Sequence, residues 1–125
     1  MTKIPGERTL FVDCDDTLVM WDLSKYPDLP RIQLDCYGPV TLIPNQKNIN
    51  LVKKFSKLGY TIVVWSQTGV DWAETVAKAV GIEEFVDVCI SKPTYYLDDL
   101  SSDAWLDRRI YREPAYIFFL IDVYT

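Results

Sequence analysis

Four acidic residues, one serine and one lysine stand where apolar segments of this chain end. TLFV runs into Asp13 and Asp15, TIVVW runs into Ser66, VDVCI precedes Lys92 by one residue, and YYL runs into Asp98 and Asp99. If the side chains converge, the carboxylates repel one another by about 4 kcal/mol for two charges about 4 Å apart at an effective dielectric of about 20. A divalent cation relieves such repulsion, and oxygen ligands favour Mg²⁺. Together with an ammonium and a hydroxyl group, this set predicts a cradle for a phosphoryl group.

Carboxylates can also supply the reaction chemistry at such a site. One carboxylate can attack phosphorus and form an aspartyl-phosphate. A second carboxylate two residues away can protonate the leaving oxygen and then deprotonate water. The chain contains no histidine, which excludes a Ser-His-Asp triad, a histidine base and histidine metal ligands. Asp15 is therefore the natural candidate for the acid–base role.

The elements that would position these groups are short strands alternating with helices. Five apolar runs rich in β-branched and aromatic residues predict buried strands, at residues 9–12, 61–65, 86–90, 95–97 and 115–121. Near-continuous apolar runs favour a parallel sheet covered on both faces. The carboxyl ends of parallel strands meet at one edge, where ligands of open α/β sheets bind. The six polar residues are therefore expected to converge.

Helical patterns lie between the predicted strands. Asn45 is expected to cap a helix that runs to about Leu58 and ends at Gly59, and residues 70–80 predict a second helix closed by Gly81. Ser101 or Ser102 is expected to cap a third. Residues 21–44 contain four prolines and predict a β-hairpin flap formed by residues 31–36 and 40–43. The expected fold is a single α/β domain over residues 1–125, a three-layer Rossmann-like sandwich with a mostly parallel five-stranded sheet.

The motifs resemble, in their order, those of the haloacid dehalogenase-like superfamily, and specifically its small phosphatase-type members without a cap domain. The matching segments are LFVDCDDTL, TIVVWSQTG, ISKP and YYLDD, which together cover residues 9–99. One such motif alone is weak evidence, whereas four in order are specific. The second aspartate of the first motif, Asp15, favours phosphoryl transfer over dehalogenation, because dehalogenases of the family lack it.

The resemblance implies a role for each matched residue. Asp13 would be the nucleophile and a Mg²⁺ ligand, and Asp15 the general acid and base with its backbone carbonyl on the metal. Ser66 and Lys92 would bind the phosphoryl group. The backbone amides of Gln67 and Thr68, which directly follow Ser66, are further candidates for contact with the phosphate. Asp98 would ligate Mg²⁺ directly, and Asp99 would do so directly or through water. The first strand would lie centrally in the sheet, between the strands at residues 61–65 and 95–97.

Two features depart from the family's usual pattern. Residue 16 is Asp where many relatives have Gly, and only five residues separate Lys92 from Asp98. The short spacing resembles that of small members without a cap. The chain has no room for a large cap domain, so the flap at residues 21–44, or a neighbouring subunit in a homo-oligomer, would cover the site.

Composition restricts the partners and the compartment. Thirteen basic and 18 acidic residues give a net charge of −5, which argues against extended nucleic-acid binding. Three widely separated cysteines predict free thiols in a cytoplasmic protein. The N-terminus has no apolar signal segment, and the longest apolar run is far shorter than the roughly 20 residues of a membrane span. The expected substrate is a small phosphorylated metabolite or a sugar phosphate, with a nucleotide, a nucleic-acid end or a phosphoprotein left open.

Two other functions compete with a phosphatase. A receiver-type signalling domain shares the length and the residue types, but its acceptor aspartate follows a middle strand. Here TIVVW ends in Ser66, and no Asp lies between Asp35 and Asp71, which disfavours this function. A non-catalytic binding domain of the same fold is the other alternative, and the presence of the full motif set argues against it.

Overall fold

The computed structural model describes residues 8–106 and residue 110. The chain divides into two compact units, Met1–Lys92 and Pro93–Thr125. The expectation of one domain over the whole chain stays a prediction.

The described part of the first unit, residues 8–92, contains six strands and two helices. Their order is β1 (Thr9–Asp13), β2 (Val19–Met20), β3 (Ile32–Asp35), β4 (Pro39–Pro44), α1 (Gln46–Lys57), β5 (Thr61–Ser66), α2 (Val70–Ala79) and β6 (Val88–Ser91). Single 3-10 turns lie at Leu23–Lys25 and Glu83–Phe85. The alternation of strands and helices confirms the α/β class.

Strands β1, β5 and β6 form a parallel sheet in the order β1-β5-β6. Asp13 is the last residue of β1 and pairs with Trp65, while Ser66 at the end of β5 pairs with Ser91 at the end of β6. The register therefore aligns the carboxyl ends of all three strands. This alignment confirms the predicted edge for the motifs that follow β1, β5 and β6.

Both helices begin and end close to the predicted residues. The Asn45 side chain accepts a hydrogen bond from the Asn48 amide at 3.3 Å and so caps α1. Helix α2 begins after Gly69, whose φ of 122° lies in a region that L side chains rarely adopt. The hydrophobic core joins the helices to the sheet and includes Val12, Leu18, Ile49, Val52, Ile62, Val64, Ala73 and Val76.

A second, antiparallel sheet in the order β2-β4-β3 follows the first strand. Strands β3 and β4 pair from Ile32–Leu42 to Asp35–Pro39 around Gly38. This pairing confirms the hairpin predicted for residues 31–43. Strand β2 pairs with the end of β4, and buried Leu34, Leu42 and Ile43 attach the hairpin to the core.

The predicted five-stranded sheet is wrong for the described residues, which contain three parallel strands. Residues 95–97 form no strand, and Tyr95 and Leu97 are fully or almost fully exposed, at 91% and 103%. This run has only three residues and no neighbouring strand to pair with among the described residues. Its apolar composition alone is therefore not enough to form a β-strand. Among the described residues, strand β1 pairs with β5 alone, and β5, not β1, is the central one of the three parallel strands.

The second unit contains one short helical segment within its described part. Helix α3 (Ser102–Trp105) is a single turn, and it buries no residue. The apolar run at residues 115–121, predicted as a strand, lies outside the described residues. Across the described residues no helix combines the length and apolar character that a membrane crossing requires.

Candidate functional site

Asp13 and Lys92 meet at the carboxyl edge of the parallel sheet. The Lys92 Nζ lies 3.2 Å from Asp13 Oδ1, although the two residues are at opposite ends of the first unit's sequence. Both side chains are about one-third exposed, at 31% for Lys92 and 34% for Asp13. The Lys92 ammonium also lies 5.9 Å from the centre of the Trp65 ring, which is within cation–π range. The sheet therefore places a cation beside the carboxylate predicted to be the nucleophile.

The fold brings Lys92 to this position through the backbone of β5 and β6. The Lys92 amide donates a hydrogen bond to the Ser66 carbonyl at 2.9 Å, just after the last pair of the β5–β6 ladder. The strand pairing of β1 with β5 then carries Asp13 to the adjacent strand end. The sequence prediction that these two residues converge is confirmed.

A tight turn after β1 holds the rest of the first motif. The Cys14 carbonyl accepts hydrogen bonds from the amides of Thr17, Leu18 and Val19 at 2.9–3.2 Å. The Thr17 hydroxyl donates to Asp13 Oδ2 at 3.2 Å, so each carboxylate oxygen of Asp13 has a partner. Asp16 has a φ of 57°, a left-handed conformation that glycine adopts freely and aspartate tolerates. The turn therefore accommodates Asp at position 16 in a backbone conformation that favours Gly.

The Cys14 thiol takes no part in this polar edge. Its side chain is fully buried in the core. Burial, with the neighbouring charge of Asp13, raises the pKa of Cys14 to about 12. The thiol stays protonated at neutral pH, as expected for an inert buried cysteine.

Asp15 is held by two tryptophans. Its Oδ1 accepts a hydrogen bond from Trp21 Nε1 at 2.8 Å and a second from Trp72 Nε1 at 3.1 Å. Trp21 precedes the hairpin, and Trp72 belongs to the first turn of α2 and is 5% exposed. Two donors on Oδ1 fix the orientation of the carboxyl group. Neither of these two hydrogen bonds involves Oδ2.

Ser66 lies at the predicted strand end but is fully buried. Its Oγ accepts a hydrogen bond from the Thr68 amide at 3.1 Å, and its carbonyl accepts from the Gly69 amide at 3.2 Å. These bonds shape the loop between β5 and α2. Gln67, the other predicted phosphate-binding residue of this loop, is exposed. The structure thus places Ser66 as a support for the loop, and its contact with phosphate stays a prediction.

The acidic pair Asp98 and Asp99 belongs to the second unit, and both residues are exposed. The Leu100 amide donates to Asp98 Oδ1 at 3.0 Å and holds the pKa of this carboxyl below its usual range, with a smaller contribution from Asp99. Asp98 is therefore negatively charged at neutral pH. Its predicted role as a metal ligand stays a prediction.

The described residues offer few protein ligands for a metal ion. Within residues 8–106 and 110, no cluster of three or more acidic or cysteine side chains could hold a metal ion. Mg²⁺ in proteins is often bound by one or two carboxylates, with waters and substrate phosphate oxygens completing the octahedron. The Asp13 carboxylate is chemically compatible with a site of that kind, and binding of Mg²⁺ by Asp13 and the Asp15 backbone stays a prediction.

Sequence reasoning missed the residues that orient the two aspartates. It did not assign Thr17, Trp21 or Trp72 to the orientation of Asp13 and Asp15. It also missed the buried Asn48, whose Nδ2 donates to the Thr17 carbonyl at 2.9 Å. The placement of Asn48 between the capping Asn45 and the buried Ile49 is the one sequence signal that an inward amide was present.

Comparison with protein-family models, with curated protein sequences and with solved structures finds no match for this chain.

Proposed function

We propose that this protein is a magnesium-dependent phosphohydrolase that cleaves a phosphomonoester through a phosphorylated Asp13. The observation that carries the proposal is the contact of Lys92 with Asp13 at 3.2 Å, at an edge where β1, β5 and β6 all end. A carboxylate beside a fixed ammonium, at the carboxyl edge of a parallel sheet, suits the binding of an anionic phosphoryl group. The ordered resemblance to haloacid dehalogenase-like phosphatases supports the same assignment.

In the first step, a carboxylate oxygen of Asp13 attacks phosphorus. A bond forms between this oxygen and phosphorus, while the bond from phosphorus to the leaving oxygen breaks. Asp15 gives its proton to the leaving oxygen, which departs as an alcohol. Lys92 offsets the negative charge that the peripheral phosphoryl oxygens carry. Thr17 holds the Asp13 carboxylate in position through its hydrogen bond to Oδ2.

In the second step, water attacks the phosphorus of the aspartyl-phosphate. Asp15, now a carboxylate, takes a proton from this water, and the bond between phosphorus and the Asp13 oxygen breaks. Inorganic phosphate leaves, and both aspartates return to their starting states. Trp21 and Trp72 act as positioning residues, because their indole donors orient Asp15 in both steps.

Asp13 and the Asp15 backbone carbonyl would hold Mg²⁺, with Asp98 and Asp99 as further proposed ligands. When bound, the ion supplies Lewis-acid charge that balances the phosphoryl oxygens. The nucleophile is supplied by Asp13, and the proton for the leaving oxygen is supplied by Asp15.

The proposal is tested by replacing the nucleophile without changing its shape. Asp13→Asn should reduce the kcat for phosphate-ester hydrolysis in the presence of Mg²⁺ by on the order of a thousandfold or more, because an amide cannot attack phosphorus. Asp35→Asn, at the exposed end of β3, is the matched control and should retain activity. Circular dichroism checks that both variants fold. Equal turnover by Asp13→Asn and the natural protein would refute the mechanism, and Mg²⁺ binding without any turnover would favour a non-catalytic domain.

A further inference from the structure

A cavity of about 390 Å³ lies beside Asp15 in the first unit. Its size falls within the usual range for small-molecule sites, which are mostly apolar with a few placed polar groups. The residues that line it come from the first motif, the segment after β2, the hairpin, the β5–α2 loop and α2, and they are Asp15, Trp21, Tyr37, Gly38, Val40, Thr68 and Trp72.

Three aromatic rings form the walls of this cavity. The centres of the Trp21 and Trp72 rings lie 6.3 Å apart at an interplanar angle of 36°. Trp72 is buried, whereas Trp21 is 48% exposed and Tyr37 is 69% exposed. Large aromatic surface left open to solvent around a cavity can pack against a ligand ring in offset or edge-to-face geometry.

The indole hydrogen-bonding groups are already used within the site. Both Nε1 atoms donate to Asp15 Oδ1, so the faces of the rings remain for contact with a ligand. Asp15 is the proposed proton donor to the leaving oxygen, and it also lines the cavity. The part of the substrate attached to that oxygen must therefore lie next to this cavity.

Charge further restricts the ligand. Among the described residues that line the cavity, none is Lys or Arg, and Asp15 is an acid. A second phosphate group on the leaving part of the substrate would have no cation to pair with there. The cavity therefore suits an uncharged ring.

We infer that this cavity is the leaving-group subsite and that it selects phosphomonoesters whose leaving group carries a flat aromatic ring, such as a nucleoside or an arylmethyl alcohol. The inference rests on the proposed function, because Asp15 as proton donor connects the cavity to the reaction. Tyr37 is the residue to vary, since it is exposed and makes no contact with Asp13 or Asp15 among the hydrogen bonds of the described residues.

The test compares benzyl phosphate with cyclohexylmethyl phosphate. Both are primary alkyl esters of similar size, so they differ mainly in the planarity of the ring. The protein should favour benzyl phosphate in kcat/KM by about three- to tenfold. Tyr37→Leu should reduce this preference, Tyr37→Phe should preserve it, and Tyr26→Leu, on the same flap but outside the cavity lining, should leave it as in the natural protein. A comparison of kcat/KM for a nucleoside 5′-monophosphate and for benzyl phosphate then shows whether the leaving group is a nucleoside or an arylmethyl alcohol.

A binding measurement separates this inference from the proposed function. Calorimetry with benzylphosphonate and cyclohexylmethylphosphonate, which have no cleavable ester, should show the same preference and the same dependence on Tyr37. Equal affinities of the two phosphonates, or a preference unaffected by Tyr37→Leu, would overturn the subsite. If the phosphonates show the ring preference but Asp13→Asn still hydrolyses phosphate esters, the binding result supports the subsite and the hydrolysis result refutes the mechanism.

Discussion

At the scale of single residues, the ion pair between Lys92 and Asp13 matters for chemistry more than for folding. Both side chains are about one-third exposed, and ion pairs that contact solvent contribute at most about 1 kcal/mol to the free energy of unfolding. The same ammonium lies within reach of any phosphoryl group attached to Asp13. Removal of the Lys92 charge should therefore lower the activity and leave the free energy of unfolding nearly unchanged.

Lys92→Met removes the charge and keeps most of the side-chain length. We expect kcat/KM for phosphate esters to fall by about a hundredfold, because one charged stabilising group is lost. The free energy of unfolding, measured by urea titration, should change by less than about 1 kcal/mol. Lys57→Met, at the exposed end of α1, is the control and should change neither quantity. A large loss of stability with unchanged kcat/KM in Lys92→Met would contradict this account.

At the scale of elements, strand pairing and one buried amide build the site. Runs of β-branched residues before Asp13 and Ser66 predicted β1 and β5, and the Asn45 cap predicted α1, because these signals are local. The contacts of Asp15 with Trp21 and Trp72 were not predictable, since they depend on how the turn before the hairpin and α2 pack together. The turn after β1 is tied to α1 through Asn48 and the Thr17 carbonyl at 2.9 Å.

Asn48→Ala should loosen this turn and lower the stability. The substitution leaves the Thr17 carbonyl without its amide donor in a part-buried setting, at a cost of about 1–3 kcal/mol in the free energy of unfolding. Activity should fall as well, because Thr17 orients Asp13. Asn50→Ala, on the exposed side of α1, makes the same chemical change and should cost much less. Equal destabilisation by the two variants in urea titration would show that the Asn48 amide does not anchor the turn.

At the scale of the whole molecule, the four predicted motifs are distributed over both units of the chain. The three motifs that follow β1, β5 and β6 were predictable because parallel strands end at one edge and each motif directly follows its strand. The fourth motif was predicted from a three-residue apolar run, and residues 95–97 are exposed and form no strand. Composition identified the apolar character of this run but not the absence of a pairing strand. The role of Asp98 and Asp99 is therefore a question for experiment.

Asp98→Asn tests whether the second unit contributes to the magnesium site. Removing one carboxylate ligand should raise the Mg²⁺ concentration needed for half-maximal activity by about tenfold or more, with a smaller change in kcat at saturating Mg²⁺. Asp103→Asn, an acidic residue of α3, is the control and should leave the Mg²⁺ dependence unchanged. An unchanged Mg²⁺ dependence in Asp98→Asn would remove this residue from the proposed ligands.

Chemical trapping of the phosphorylated aspartate tests the central claim most directly. Asp15→Asn should slow the second step, so that an activated aryl phosphate, whose leaving group needs little protonation, loads the protein with phosphate. Acid quenching, borohydride reduction and peptide mass spectrometry should then find Asp13 converted to homoserine. Rapid hydrolysis with Asp13 unmodified, or with the label on another residue, would contradict the account.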